Sequence, residues 1–200
     1  LELSTPEPLA RDLKGSWFGT PALVMTRLPG RPNIRPRNLD TWLREIASAL
    51  VTIQNVPLRK ATASLRKVHR VEDWEPPQGL RQTDLIKRAV NAVRRNLPEA
   101  LKAERAIGHG DFHPGNLLWS REKLTGVVDW SAAGIGPRTH EVAYCRADLT
   151  VLMGAGAAED FRRIYEQISG QSLRTGSLGL GSHLWIVCSS LGPLLGGGIP

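Results

Sequence analysis

The chain has 200 residues, 41% hydrophobic and 22% charged, which suits one well-cored domain or one large lobe of a two-lobed protein and disfavours a disordered chain. The net charge of +7 is spread along the chain without interleaved aromatic residues, so a solvated basic face is favoured over nucleic-acid binding. No signal peptide is recognised, and no apolar run reaches the roughly 18 residues of a membrane span, so we expect a cytoplasmic protein without membrane contact.

The beginning of the chain predicts a pair of antiparallel strands. Residues 9–13 have the length of a short strand, and Lys14-Gly15 can form the turn that follows it. Residues 22–28 contain a compact apolar run that can form the second strand. Residues 30–38 contain two prolines and predict a loop.

Apolar residues then recur at helical spacing. A first helix is predicted from Leu39 to Ile53, with Asn38 or Asp40 as its N-cap. The remaining predicted segments are a proline-rich connection over 57–80, a helix between Thr83 and Pro98, and later helices over 141–153, 157–169 and 184–195. Cys145 and Cys188 lack the spacing of zinc ligands, and we expect both to be reduced and partly buried.

Between these helices lies the segment richest in chemical groups, His109-Gly-Asp-Phe-His-Pro-Gly-Asn116. Two short strands are predicted after it, over 117–119 and 124–128, with a turn between them, and Asp129 follows the second strand. This hairpin would bring Asn116 and Asp129 side by side, as two oxygen ligands of one hard cation require. Asp111 can orient and deprotonate a hydroxyl, so the pattern is typical of a phosphoryl-transfer site.

Smaller features of the same segment support a compact loop. Gly110, Pro114 and Gly115 suit a tight turn and leave room for a phosphate. Trp119 and Trp130 are interpreted as core aromatic residues that flank the site.

These motifs resemble the aminoglycoside phosphotransferase family, the small-molecule branch of the protein-kinase-like fold. His109 to Leu118 is similar to the family's catalytic loop, and Val127 to Trp130 is similar to its metal-binding Asp motif. Leu23 to Gly30 resembles the strand and hinge that link its two lobes. The resemblance implies an α+β fold: residues 1–30 would form partial N-terminal-lobe strands and the hinge, and residues 31–200 a mostly helical C-terminal lobe.

The resemblance also implies roles for individual residues. Asp111 matches the catalytic base, and Asn116 and Asp129 match the ligands of Mg²⁺. His109 matches a residue that supports the loop, and a packed, hydrogen-bonded histidine is favoured there over a proton shuttle. His113 can either reach a phosphate or brace the loop, and both interpretations stay open.

The resemblance also implies residues that contact the nucleotide. The backbone of Thr26 and Leu28 matches the hinge that hydrogen-bonds the base, and Leu118 and Val128 match residues of the nucleotide pocket. Glu141 falls where the family often has an aspartate that pins the segment after the metal motif, so a structural role is expected.

One departure from the family concerns the front of the small lobe, which carries a Gly-rich loop, a strand lysine and a helix glutamate. None of these is recognised before Asp111, so most of that lobe is expected to be absent from this sequence. A partial or truncated kinase is favoured over a short protein that has lost catalysis. We expect little or no transferase activity from the 200 residues alone, because phosphate positioning would fail.

The function implied by the resemblance is transfer of the γ-phosphoryl group of ATP or GTP, with Mg²⁺, to a hydroxyl of a small molecule. An aminoglycoside-like antibiotic, a sugar or amino alcohol, and another metabolite remain open as acceptors, and the oligomeric state is not predicted. The alternative is a non-catalytic, pseudokinase-type binding or regulatory protein.

Overall fold

The computed structural model describes residues 3–58 and 104–173, together with residues 65, 84, 87, 88, 91 and 95. The connection predicted over 57–80 and the helix predicted between Thr83 and Pro98 lie mostly outside the described residues, although 84, 87, 88, 91 and 95 are helical. Cys188 and the helix predicted over 184–195 lie outside them altogether.

The first two strands form the predicted antiparallel hairpin. β1 (Pro8–Asp12) pairs with β2 (Ala22–Met25) so that Asp12 lies opposite Ala22, with an irregularity near Pro8. The pairing extends past β2, because the Thr26 N–H donates to the Glu7 carbonyl at 2.9 Å. The division of the chain at residue 30 stays a prediction.

A second sheet carries the strands next to the site. Its order is β3–β5–β6, with β3 (Arg31–Pro32) pairing with β5 (Leu117–Ser120) and β5 with β6 (Lys123–Val127), all antiparallel. The two strands predicted after the loop are therefore confirmed. The loop predicted over 30–38 was wrong at its start, where Arg31–Pro32 form a short edge strand held by pairing with distant residues.

A third pair of strands was not predicted. β4 (Arg105–Gly108) pairs antiparallel with β7 (Gly134–Pro137), with Ala106 opposite Gly136. Glycines and a proline fill much of this pair, so it lacks the alternating apolar pattern by which a strand is recognised. The pair brings the beginning of the catalytic loop beside the end of the segment that follows Asp129.

Three helices are described in full: α1 (Leu39–Gln54), α2 (Arg138–Met153) and α3 (Ala155–Ser169). All three were predicted, each to within a few residues at either end. The Asn38 side chain accepts from the Thr41 N–H at 3.0 Å, which makes Asn38 the N-cap of α1. None of these helices is both long and apolar enough to cross a membrane.

The core lies between the helices and the site strands. Its largest fully buried side chains come from the three helices, from β5 and β6 and from the loop before β5. They include Leu43, Ile46, Leu50, Phe112, Leu117, Val127, Leu149, Phe161 and Tyr165. Trp119 of β5 stacks on Trp42 of α1, with ring centroids 5.9 Å apart. Cys145 is fully buried on α2, which corrects the expectation of partial burial, and burial raises the pKa of its thiol.

A buried polar network fixes the start of α2 against the other two helices. Gln54 at the end of α1 donates to the Arg138 carbonyl at 2.8 Å and accepts from the Tyr165 hydroxyl at 2.5 Å. The Arg138 guanidinium donates to the Gln54 carbonyl at 3.1 Å. The placement of α2 is thus set by α1 and α3, and α2 in turn contacts the catalytic loop.

Candidate active site

The catalytic loop, residues 109–116, runs from the end of β4 to the beginning of β5. Phe112 is fully buried in the core and anchors the middle of the loop. Its last residues, Pro114–Asn116, form a 3-10 turn that leads directly into β5. The loop is therefore attached at both ends and in the middle, which leaves its polar side chains to define the site.

The carboxylate of Asp111 is held at both oxygens. The Tyr144 hydroxyl of α2 donates to Oδ1 at 2.6 Å, and Nδ2 of Asn116 donates to Oδ2 at 3.1 Å. Nδ2 of Asn116 also donates to the Asp111 carbonyl at 2.9 Å. Since the amide nitrogen of Asn116 is used inside the loop, its amide oxygen is the atom available to a cation.

The strand pairing brings Asn116 next to Asp129, as the sequence predicted. The Val128 N–H donates to the Asn116 carbonyl at 3.0 Å, and Asp129 follows with a left-handed backbone (φ 63°). The Ser131 hydroxyl donates to Oδ1 of Asp129 at 2.6 Å. That bond lowers the pKa of Asp129, so the carboxylate is charged at neutral pH.

An amide oxygen and a carboxylate are hard oxygen donors, and they fit Mg²⁺, which takes its remaining ligands from phosphate and water. Across the described parts of the chain, no group of three or more His, Cys, Asp or Glu side chains is arranged to hold a metal. Asn116 and Asp129 would supply two oxygen ligands of such a cation, with phosphate and water as the others.

His109 joins the loop to the strand that precedes Asp129. It is fully buried, and its Nε2 lies 2.9 Å from the Val128 carbonyl, an acceptor, so Nε2 carries the proton. The Asp111 N–H donates to its Nδ1 at 3.3 Å. Burial lowers the pKa of His109, and the ring is therefore neutral at pH 7. A neutral ring bonded at both nitrogens is placed as a support for the loop.

His113 lies on the other side of Asp111. Its Nδ1 accepts from the Gly115 N–H at 3.1 Å, which closes the 3-10 turn. Its Nε2 is 3.6 Å from Oδ2 of Asp111, and its Nδ1 is 3.7 Å from Oδ2 of Asp148 on α2. Nδ1 is thus bonded within the loop, and the choice between bracing the loop and reaching a phosphate stays a prediction.

Glu141 of α2 holds the backbone at the start of the loop. Its carboxylate is buried, with 2% of the residue exposed, and accepts from the N–H of His109 at 3.0 Å and from that of Gly110 at 3.2 Å. Two consecutive amide groups are thus satisfied by one side chain, in agreement with a structural role.

The sequence suggested that Gly110 leaves room for a phosphate, and this prediction is wrong. Its φ is +83°, and a Cβ there would lie 2.0 Å from the Ala132 carbonyl oxygen. Ala132 belongs to the 3-10 turn Trp130–Ala132, directly after Asp129. The space beside Gly110 is therefore filled by the backbone of the segment after Asp129, and the glycine allows the loop and this segment to touch.

A cleft of about 550 Å³ lies between the β1–β2 hairpin and the turn after Asp129. The residues that line it are Thr5, Pro6, Pro8, Leu23, Met25, Asp129, Trp130 and Ser131. Asp129 thus faces a space large enough for part of a nucleotide. Leu23 and Met25 were not selected from the sequence, although their alternation in β2 places both on one face of the strand.

The four residues predicted to bind the nucleotide lie on or directly after the strands β2, β5 and β6, or close to them. None of the four is among the described residues that line the cleft. The Thr26 N–H donates to the Glu7 carbonyl. Leu28 packs over Gly126 of β6, and Leu118 pairs with the same glycine. Val128 uses its N–H and carbonyl within the site, and all four roles stay predictions.

Two contacts of the site carried no recognised signal in the sequence. Tyr144, which donates to Asp111, lies in the middle of α2, and nothing in its spacing pointed to the loop. Ser131 lies two residues after Asp129, and a hydroxyl so close to a carboxylate could have been proposed from local geometry.

Comparison with known proteins places the chain among phosphotransferases. The profile of the phosphotransferase enzyme family matches residues 1–175. Viomycin phosphotransferase of Streptomyces vinaceus is 29% identical over 163 residues, which cover 72% of this chain and 55% of the relative. A probable acyl-CoA dehydrogenase of Arabidopsis thaliana (IBR3) is 23% identical over 203 residues, which cover 88% of this chain and 24% of that protein. The chain thus spans about half the length of one curated relative and about a quarter of the other.

Solved structures show the same fold. The aminoglycoside phosphotransferase APH(3'')-Id of Streptomyces rimosus, in complex with ADP and streptomycin, superposes with a TM-score of 0.64 at 18% identity, covering 92% of this chain and 75% of that one. The GDP and kanamycin complex of APH(2")-IIia superposes with a TM-score of 0.66 at 16% identity, covering 98% of this chain and 69% of that one.

Proposed function

Because the chain belongs to the phosphotransferase enzyme family, we propose that its catalytic loop and Asp129 are the base and metal-binding part of a small-molecule kinase. The reaction is transfer of the γ-phosphoryl group of ATP or GTP to a hydroxyl. The observation that carries the proposal is the joint placement of Asp111, Asn116 and Asp129. Hydrogen bonds of 2.9 and 3.1 Å join the first two, and the Val128–Asn116 bond of 3.0 Å sets the third beside them.

Each group has one task in this reaction. Asp111 accepts the proton of the acceptor hydroxyl as that oxygen bonds to the γ-phosphorus, and the bond from the γ-phosphorus to its bridging oxygen breaks. The nucleoside diphosphate leaves with the electrons of that bond. Each carboxylate oxygen can accept two hydrogen bonds, so Asp111 retains acceptor sites beside Tyr144 and Asn116. Mg²⁺, held by Asn116 and Asp129, would neutralise charge on the phosphates.

His109 and His113 complete the loop in this proposal. His109, neutral and buried, keeps the Asp111 backbone in place through its Nδ1. His113 braces the turn and is also within reach of the space in front of Asp111. Thr26, Leu28, Leu118 and Val128 are proposed to contact the nucleotide, with the Thr26 carbonyl as its hydrogen-bonding group.

The donor and acceptor are proposed only as classes. Proteins of this fold have been solved with ADP and with GDP, so ATP and GTP are both retained as donors. Viomycin, streptomycin and kanamycin, named for the relatives and neighbours, form the first panel of acceptors to test.

A non-catalytic binding protein is the second candidate. It is favoured by the positions of the lysines in the two long described ranges, because neither of them lines the cleft. Within residues 3–58 and 104–173 these are Lys14 in the hairpin turn and Lys123 at the start of β6, and both are exposed. The described residues thus supply a base and metal ligands, with neither lysine in the cleft lining. We propose that the 200 residues alone transfer phosphoryl groups slowly or not at all.

Nucleotide binding tests the proposal independently of turnover. Titration calorimetry with ATP and GTP is expected to show binding that requires Mg²⁺, weakened at least about tenfold by Asp129→Ala, which is worth about 1.4 kcal/mol. Asp160→Ala on α3 is the matched control, because it removes a surface carboxylate paired with Arg163 and should leave affinity unchanged.

The transfer assay then separates the two candidates. Any phosphorylation of the acceptor panel should be abolished by Asp111→Ala while nucleotide affinity persists. A nucleotide affinity that is the same without Mg²⁺ and in Asp129→Ala would contradict the kinase proposal. Binding of a protein partner that is indifferent to Asp111, Asn116 and Asp129 would favour the second candidate.

A further inference from the structure

Helix α2 contacts the catalytic loop through side chains one turn apart. Glu141 accepts from the first two backbone amides of the loop, Tyr144 donates to the carboxylate of Asp111, and Asp148 faces His113 at 3.7 Å. Residues at i, i+3 and i+7 share one helix face, so this face follows the loop in order. Tyr144 is the member of the set that reaches the proposed base directly.

The hydrogen bond from Tyr144 has a fixed direction. Its oxygen lies 2.6 Å from Oδ1 of Asp111, a short distance typical of a neutral donor on a charged acceptor. Burial, and then the bond to Asp111, raise the pKa of Tyr144 well above its ordinary value of 10. The phenol therefore keeps its proton, and it acts as a donor to the carboxylate.

The ring of Tyr144 is held independently of Asp111. It stacks on His140 with a centroid distance of 6.4 Å and an interplanar angle of 29°, and it contacts His113 at 6.4 Å and 52°. Both distances fall in the range of favourable aromatic contacts. The contact with His140 lies within α2, so it holds the ring on the helix without help from Asp111 or the loop.

The second donor to the carboxylate is a weaker constraint. Asn116 Nδ2 lies 3.1 Å from Oδ2, and Asn116 belongs to the same loop as Asp111. A shift of the loop would move Asp111 and Asn116 together. The bond from Tyr144, in contrast, fixes Asp111 relative to α2.

We propose that Tyr144 is a positioning residue that fixes the side-chain rotamer of Asp111. The consequence for catalysis rests on the proposed function, since it matters only where Asp111 is the base. The effect of Tyr144 on the rotamer does not depend on the proposed function. With Oδ1 held by α2, the remaining acceptor sites of the carboxylate keep one direction towards the incoming hydroxyl, and a displaced base loses much of the rate.

Tyr144→Phe tests this with little change of shape, and Tyr165→Phe is its matched control. Tyr165 is the other tyrosine of the chain, and its hydroxyl bonds Gln54 in the helical core. In isotope-labelled protein, the three-bond couplings from Cγ of Asp111 to its backbone nitrogen and carbonyl carbon report the χ1 rotamer. Wild type and Tyr165→Phe should give couplings of a single rotamer, and Tyr144→Phe should give averaged values. Unchanged couplings in a folded Tyr144→Phe would overturn the proposal.

A second measurement covers a Tyr144→Phe variant that does not fold. In the wild-type chain the Tyr144 hydroxyl proton should exchange slowly and resonate downfield. Asp111→Ala should remove this signal and leave that of Tyr165. A signal unaffected by Asp111→Ala would also overturn the proposal.

Where the wild-type chain shows slow turnover of ATP or GTP with Mg²⁺ and water as acceptor, that turnover adds a catalytic readout. Tyr144→Phe is expected to lower this kcat at least about tenfold with the KM for nucleotide unchanged. A kcat equal to wild type would show that the rotamer has no catalytic role. If the couplings change but Asp111→Ala leaves turnover intact, the positioning holds and the proposed function fails.

Discussion

The catalytic loop and the β1–β2 hairpin border the same site, but they are held in different ways. In the loop, His109 and Phe112 are fully buried, and His109 bonds to Glu141 of α2 and to Val128, the residue after β6. In the hairpin, Trp17 is 86% exposed and Leu13 is 71% exposed. The loop is a part of the core that carries polar groups, whereas the hairpin is a surface element.

The hairpin keeps its shape through local contacts. Strand pairing joins β1 to β2, and the Asp12 carboxylate accepts from the N–H of Trp17 at 2.7 Å and of Ser16 at 2.9 Å. The corresponding bonds in the loop connect Glu141 with residues 31 and 32 positions earlier. One kind of chemical change should therefore have different consequences in the two regions, and three experiments can sharpen or break this contrast.

The largest difference is expected for glycine substitutions. Gly110 in the loop and Gly19 in the hairpin both have positive φ, +83° and +72°, but only Gly110 has a neighbour within 4 Å of an added Cβ, the Ala132 carbonyl oxygen at 2.0 Å. Gly110→Ala should lower the free energy of unfolding by about 3 kcal/mol or more, from backbone strain and overpacking together. Gly19→Ala should cost about 1 kcal/mol, from strain alone.

Urea unfolding of the two glycine variants checks this prediction. Because Ala132 follows Asp129 closely, Gly110→Ala should also weaken Mg²⁺-dependent nucleotide binding, whereas Gly19→Ala should not. Equal losses of stability in the two variants would mean that the loop is no more tightly packed than the hairpin.

A smaller difference is expected when the pH is lowered. Burial holds the pKa of His109 below its ordinary value of 6.5, so the unfolded chain binds a proton more readily than the folded one. Stability from the neutral ring is complete above pH 6.5 and is lost as the pH falls from 6.5 towards the folded pKa. The hairpin behaves differently, because the Trp17 N–H lowers the pKa of Asp12 from 3.8 and its contribution is lost only below that value.

Hydrogen exchange at pH 7.5 and pH 5.5 separates these windows. The amides of Gly110 and Asp111 should lose protection at the lower pH, and those of Ser16 and Trp17 should keep it. His109→Gln is the control for the other histidines, and it should show a flatter pH dependence at the loop. Equal loss of protection in both regions would contradict the assignment to His109.

The smallest effect is expected at the tip of the hairpin. Trp17→Ser removes a large side chain that is already 86% exposed, so the free energy of unfolding should change by less than about 0.5 kcal/mol. A cost above about 2 kcal/mol in urea unfolding would show that Trp17 is buried in solution and that the hairpin is not a free surface.

The sequence predicted the elements whose signals are local. α1 with a cap at Asn38 or Asp40, the end of α3 before Gly170, the β1–β2 hairpin and the β5–β6 hairpin all follow from apolar spacing and turn residues, and the structure selects Asn38 as the cap. It missed β3 and the β4–β7 pair, because these strands exist through pairing partners far along the chain.

The same division applies to the site. The sequence by itself determined which groups are present: Asp111, proposed to take a proton, Asn116 and Asp129, proposed to hold a cation, and the two short strands that join them. Only the tertiary structure decided how they are held, through Tyr144 on one oxygen of Asp111, Glu141 beneath two amides, and the Ala132 backbone against Gly110. The reason is physical. Residue type and spacing are set along the chain, whereas these contacts depend on how α2 packs against α1 and α3, which no local pattern encodes.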